Sequence, residues 1–204
     1  WNEQSVSWHG FYMTSDDEDE NSDDVIGTHF KFPNYPFRAG GHWVRTGDNF
    51  NPALGFVRRR GGESTGLGFT YYFEQPENEL LEDISVGAEY DRYEWLDGDL
   101  DSDELEINLI GIRTLAGDFL GLEVEFERDI LQEPFEIIDE VIIPSSEYKG
   151  VDFELEFRSS SNRPVFGEFE IAYGHFYGGK ATNAEIDLSW RPSKYFQLDF
   201  EIAS

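Results

Sequence analysis

The sequence predicts an all-β protein, an antiparallel up-and-down sheet that forms part of a transmembrane β-barrel. Three observations predict it. From Ser64 onward apolar and polar residues alternate with a period of two, as strands with two unlike faces require. Clusters of Gly, Pro, Asn, Asp and Ser divide the chain into about eleven segments. These segments suit the ~9–11 tilted residues that cross a bilayer as a strand, and are long for globular strands of about 5–6.

In chain order, the first three strands are expected at 4–13, 25–32 and 38–48, around an interruption by Pro33 and Pro36. The next three fall at 64–74, 84–95 and 104–115. Residues 119–130 contain Leu122-Glu123-Val124-Glu125-Phe126-Glu127, with apolar residues on one face and carboxylates on the other. The segment 148–158 repeats this as Val151-Asp152-Phe153-Glu154-Leu155-Glu156-Phe157-Arg158. After 165–176, the segment 182–191 carries Ala184-Glu185-Ile186-Asp187-Leu188-Ser189-Trp190-Arg191, and 195–203 is the last. No 3.6-residue periodicity of useful length appears, so helices are not expected. The connections 33–37, 75–83, 116–118, 159–164 and 192–194 fall at one end of the sheet. Those at 14–24, 49–63, 96–103, 131–147 and 177–181 fall at the other and are mostly longer, the one-sided habit of membrane barrels.

Composition narrows the function. The 204 residues carry 15 Lys and Arg against 43 Asp and Glu, a net charge of −28, which excludes a phosphate backbone as the natural partner. Aromatics at 16% argue against disorder, and the absence of Cys removes disulfides, thiolate metal sites and thiol nucleophiles. No run approaches the ~20 apolar residues of a membrane helix, which leaves strand-spanning membrane structure open.

Alternation leaves two environments open for the apolar face. In a soluble acidic β-sandwich it meets a protein core; in a barrel it meets lipid and the carboxylates line a watery lumen. Phe157, Trp190 and Phe196 lie beside short turns on the apolar parity, and Tyr173 near the other end of its strand, which favours the barrel with its two aromatic girdles. Trp95 falls on the polar parity. The expected lipid-facing residues are Leu122, Val124, Phe126, Val151, Phe153, Leu155, Ile186 and Leu188. The expected lumen-facing residues are Glu123, Glu125, Glu127, Asp152, Glu154, Glu156, Glu168, Glu170, Glu185 and Asp187, joined by Asp199 and Glu201.

Other constellations read as structural. The acidic run Asp16 to Asp24 and the series Asp97, Asp99, Asp101 lack the Gly and Glu positions of an EF-hand loop, so they are expected as solvated loops with at most loose calcium binding. Arg58, Arg59 and Arg60 are expected to pair with lumenal carboxylates. His9, His29, His42 and His175 lack metal-ligand spacing and are expected in girdles or loops. Glu-x-Glu repeats follow from a polar sheet face without invoking a glycosidase pair. With no nucleophile elbow or phosphate loop, no enzymatic role and no cofactor are expected.

Several stretches together resemble a family. The segment from Asp48 to Arg59, with Asn51, Pro52, Gly55, Phe56 and Arg58, is similar to the Asn-Pro-x-x-Gly-Phe-x-x-Arg signature of a bacterial outer-membrane barrel family, domain of unknown function 5916. Glu133 to Ile137 and Ile143 to Tyr148 are similar to its long-loop motif. Asn162-Arg163-Pro164, then His175-Phe176-Tyr177-Gly178-Gly179, then Trp190-Arg191-Pro192-Ser193 follow in the family's order, so that the matches span 48–196. The resemblance implies a barrel in the bacterial outer membrane, often fused behind a family 9-like carbohydrate-binding module, and it implies no activity. Because the chain opens at Trp1 and stops at Ser204 within a strand pattern, residues 1–204 are expected to be one partial barrel domain. The N-terminal module and closing strands would lie outside it. The expected function is a pore or transport channel with an acidic, cation-preferring lumen. A plugged platform binding glycans or other envelope proteins, and a soluble binding module, remain the alternatives. Outer-membrane lipid is the expected partner.

Overall fold

The computed structural model describes residues 6–16, 22–52, 57, 59–138 and 141–204. Among them no helix forms. Eleven antiparallel strands make one sheet in sequence order: β1 (Ser7–Asp16), β2 (Ser22–Phe32), β3 (Phe37–Thr46), β4 (Gly62–Glu74), β5 (Leu81–Trp95), β6 (Leu100–Thr114), β7 (Phe119–Ile130), β10 (Glu147–Arg158), β11 (Val165–Phe176), β12 (Gly179–Ser193) and β13 (Phe196–Ala203). The short strands β8 (Phe135–Ile138) and β9 (Val141–Ile143) form a separate hairpin within the connection from β7 to β10, where the sequence predicts only a long loop. The sheet is not closed: β1 and β13 stand at the two ends of the strand order.

The strands outrun their expected bounds mainly at the ends joined by the acidic connections. Asp16, Asp23, Asp24, Asp101 and Asp103 all lie in strands. A carboxylate at a strand end keeps its water or finds a cation, so charge does not stop a strand as Gly or Pro does. The connections therefore shrink to 17–21, 47–61, 96–99, 131–146 and 177–178 at one end, against 33–36, 75–80, 115–118, 159–164 and 194–195 at the other. Only 47–61 and 131–146 remain long, both at the same end. Pro33 and Pro36 fall in the turn 33–36, where a missing N–H costs no ladder bond.

Two turns show how local chemistry sets the hairpins. Trp95 N donates to Asp99 O and Gly98 N to Trp95 O; Thr114 N donates to Asp118 O and Gly117 N to Thr114 O. The repeated wiring needs a left-handed residue at the same place, filled by Gly98 (φ +93°) and Gly117 (φ +87°) without a Cβ penalty.

The strands fall into two compact units. The first, 1–69 with 89–105 and 127–147, contains β1 to β3 and both long connections. The second, 70–88 with 106–126 and 148–204, contains nearly all of β10 and the whole of β11 to β13. Inverted exposure is clearest on β10, and on β12 and β13 both parities are largely exposed. On β10, Phe153, Leu155 and Phe157 are exposed while Asp152, Glu154 and Glu156 are half-buried. On β1 and β2 the exposed residues include Trp8 (79%), Tyr12, Ile26 and Phe30. Among the described residues the buried apolar side chains are Val25, Phe50 and Val124. Val124 departs from the expected exposure. It is a short β-branched side chain on the face where the taller Leu120 and Phe126 are exposed.

Candidate functional site

The acidic face is the feature with chemistry to offer. Strand pairing stacks its carboxylates into rows that sequence spacing alone does not reveal. Glu156, Glu170 and Glu185 stand directly opposite one another across β10, β11 and β12. In the next row Arg158 stands opposite Glu168, then Asp187, then Glu201 on β13. Arg158 donates to Glu168 at 2.9 Å and also to Glu156. Beyond it Ser189 donates to Asp199 at 2.6 Å. Like charges directly opposite are unfavourable by a few tenths to about 1 kcal/mol, so such rows require water or cations beside them. Glu123, Glu125 and Glu127 on β7, Asp152 and Glu154 on β10, and Glu168 and Glu170 on β11 are all half-buried, whereas Glu185, Asp187, Asp199 and Glu201 are exposed.

Asp152 is held where a side chain is missing. A Cβ on Gly174 would lie 1.8 Å from its Oδ1, so the carboxylate occupies the glycine's place and accepts from His175 N at 2.6 Å. Carboxylates fixed on one face of a sheet add fields of one sign.

The first unit adds a row that the sequence reading missed. His9 stands opposite His29, and His29 opposite His42, on three successive strands. The rings of His29 and His42 stack with centroids 5.9 Å apart, and Phe11 stacks on His29 at 5.8 Å. His42 Nε2 lies 3.0 Å from Ser64 Oγ and 3.7 Å from Asp91 Oδ1. Gly66 permits this meeting, because a Cβ there would lie 2.3 Å from both His42 Cε1 and Asp91 Oδ1. These three histidines were expected in girdles or loops. They lie within strands, on the parity opposite Trp8 and Tyr12, and register brings together residues 20 and 13 positions apart. Spacing along one segment, the signal of motifs such as His-Glu-x-x-His, carries no trace of such a cross-strand row.

Most of the acidic run from Asp16 to Asp24, residues 17–21, lies outside the described residues, and the Asp97 series is held by its own turn and by Arg59. Asp97 accepts from Asp99 N at 3.0 Å, as in an ordinary Asx turn, and Asp101 lies in β6, 2.7 Å from Arg59 Nη1. Among the described residues no group of three or more His, Asp or Glu is placed to hold a metal ion. Arg59 also stacks over the Tyr93 ring at 4.9 Å, and Arg60 reaches Asn51 Oδ1 at 3.5 Å. Arg59 thus pairs with Asp101 beside the 96–99 turn, a carboxylate outside the expected lumenal set, and Arg58 lies outside the described residues.

The motif residues divide between the two long-range clusters they build. Asn51 N donates to Ser15 Oγ at 2.8 Å, beside Pro52 and the buried Phe50 (3%), so the start of the 47–61 connection is anchored. Gly55, Phe56 and Arg58 lie outside the described residues. At the other end Arg163 forks Asp118, with Nη2 2.6 Å from Oδ2, while Ser160 N donates to the same carboxylate at 2.9 Å. This fork lowers the Asp118 carboxyl to about 2 and raises the Arg163 guanidinium. Arg191 N donates to Pro164 O at 2.6 Å, and its guanidinium binds Ser161 O and covers Phe166, so Arg163-Pro164 and Arg191-Pro192 form one neighbourhood. Tyr177, with φ +51°, packs edge-on against Phe176 and Tyr148 in the two-residue turn before Gly179. Trp190 and Phe196 meet edge-to-face at 6.2 Å beside the 194–195 turn.

No family model, no curated protein and no solved structure matches the chain.

Proposed function

We propose that the chain is wall of a bacterial outer-membrane β-barrel, of the kind implied by its resemblance to domain of unknown function 5916, and that the barrel is a pore or transport channel with an acidic, cation-preferring lumen. One observation carries this reading: the exposure of the two faces is inverted. Large apolar side chains such as Phe153, Leu155, Phe126, Leu67 and Phe69 stand exposed, while the carboxylates of the opposite parity on β7, β10 and β11 are half-buried. In water each such side chain forgoes the ~1.5–3 kcal/mol that burial supplies, and contiguous apolar patches above a few hundred Å² are uncommon on soluble monomers. In lipid the same face is fully solvated. Phe126, Phe153 and Leu155 are also not enclosed against a second sheet, as a sandwich core would require.

Lipid imposes a further condition. Unpaired backbone groups in hydrocarbon cost several kcal/mol each, so the outer edges of β1 and β13 must be paired by further strands in the membrane. With eleven strands alternating in direction, β1 and β13 run the same way, so antiparallel closure needs an odd number of additional strands.

Three measurements test the proposal. Heat-modifiable electrophoretic migration and detergent-dependent solubility are expected of a barrel, and a monodisperse chain in plain buffer would overturn it. In planar bilayers the pore is expected to pass cations in preference to anions, with the preference weakening as salt screens the carboxylates over a Debye length of ~8 Å at physiological strength. Anion preference would overturn the lumenal assignment, and absence of conductance by an inserted barrel would favour the plugged platform.

A further inference from the structure

The exposed apolar parity ends in a belt of charge at the end of the sheet that carries connections 47–61 and 131–146. On β3 the apolar-parity residues Phe37 and Trp43 are followed by Arg45, whose Nε lies 3.6 Å from Glu63 Oε1 on β4; Trp43 Nε1 donates to the same Glu63 at 3.3 Å. Arg45 shares its cross-strand row with the exposed Ile26 and Tyr12. On β5 the parity of Ile84, Val86 and Tyr90 continues into Arg92 and Glu94, which pair with each other. On β7 the parity of Leu122, Val124 and Phe126 continues into Arg128, which pairs with Asp103 and lies 4.0 Å from Glu147.

We propose that Arg45, Arg92 and Arg128 form a docking belt for the phosphate groups of lipid headgroups in the leaflet at this end, setting the depth and orientation of the chain. The proposal rests on the membrane reading above. Its own support is the arrangement of charge. The chain has only 15 Lys and Arg in 204 residues, yet three guanidinium groups take corresponding places where apolar parity gives out, with the aromatic rings of Tyr12, Trp43 and Tyr90 on the same parity. Rings of this kind sit at the headgroup level. The guanidinium side chains remain a third to a half exposed. Exposed ion pairs contribute little, so exchanging a carboxylate for a phosphate loses little, and a planar guanidinium fork matches phosphate oxygens as well as carboxylate ones. Net charge argues the opposite way: a surface at −28 is repelled by anionic vesicles unless specific cations meet the headgroups.

The test uses the chain together with the further strands that pair β1 and β13, folding into three vesicle types: phosphatidylcholine alone, phosphatidylcholine doped with phosphatidic acid, and phosphatidylcholine doped with oleic acid at matched surface charge. The folded fraction is expected to rise with phosphatidic acid, and to rise less with oleic acid, whose single carboxylate offers the fork fewer oxygens than a phosphate. In the triple variant Arg45→Gln, Arg92→Gln, Arg128→Gln the phosphatidic acid preference should drop by about fivefold per cation lost. The triple Arg→Lys variant should keep most of it, which separates lost charge from a folding defect. Equal folding of wild type and the Gln variant in phosphatidic acid vesicles overturns the belt and leaves the membrane reading standing. Inorganic phosphate that abolishes the preference would mark a phosphate site without lipid specificity and overturn lipid docking. Failure to enter any vesicle overturns the membrane reading and the belt with it.

Discussion

Phe153→Arg puts a number on the environment of the apolar face. Phe153 is the seventh of the 12 residues of β10, 50% exposed, and stands opposite Tyr173 on β11. Along its face the apolar residues run from Val151 to Phe157, about 20 Å of strand at ~3.3 Å per residue. Tilted by about 40°, that run covers roughly 15 Å of depth, and Phe153 lies within about 3 Å of its centre. An arginine near a bilayer midplane costs about 2–4 kcal/mol, and about 0–1 near the interface. Phe153→Arg should therefore exceed Phe157→Arg by about 2 kcal/mol, roughly thirtyfold in the folding equilibrium. On a water-exposed face both changes should fall within about 0.5 kcal/mol. Equilibrium urea unfolding from lipid vesicles, followed by Trp fluorescence, reads both variants. Equal costs at the two positions would refute the depth argument, and two near-zero costs would refute lipid contact itself.

Glu170→Gln removes the middle carboxylate of the row Glu156, Glu170, Glu185; stability should rise by a few tenths to about 1 kcal/mol, with a smaller cation preference in reversal-potential measurements. A destabilised Gln variant would mean that the row is held by partners other than water and mobile cations. Gly66→Val should cost about 1–3 kcal/mol in vesicle unfolding, because its Cβ would fall 2.3 Å from His42 and Asp91, whereas Gly98→Ala meets no atom within 4 Å and should be limited to the strain of its φ of +93°. The Asp118 carboxyl is lowered to about 2 from an ordinary 3.8, so its clamp on Arg163 and Ser160 stabilises the folded state above pH ~4 and weakens as pH falls towards 2. Protection of the Ser160 amide, its exchange rate relative to the unstructured rate at the same pH, should fall over that window in wild type and be low throughout in Asp118→Asn.

Much of the fold was legible because a strand records its two faces in sequence. Period-two alternation located β7, β10, β11 and β12, and Gly and Pro clusters located the turns between them. The boundaries at the acidic ends were misread because charge resembles loop composition while leaving the backbone free to pair. The hairpin at 135–143 was missed because its strands hold four and three residues, too few to display a period. The acidic rows were half legible. Parity assigned Glu156, Glu170 and Glu185 to one face, but whether they stand opposite one another depends on register. The histidine row was not legible at all, since its members lie 20 and 13 residues apart on three strands.

The sequence by itself determined the β-class, the parity of each side chain and the separation of apolar from acidic faces. The physical reason is that side-chain alternation is a property of one extended strand, independent of its neighbours. Tertiary structure decided which residues meet. Register, turn length and the absence of a Cβ at Gly66 and Gly174 placed His42 against Asp91, Asp152 against His175 N, and Arg158 against Glu168. Those are relations between strands, fixed only when backbone pairing selects one alignment out of many. The inverted exposure of the two faces is likewise invisible in the alternation, because a pattern states that two faces differ and only packing states which one is covered.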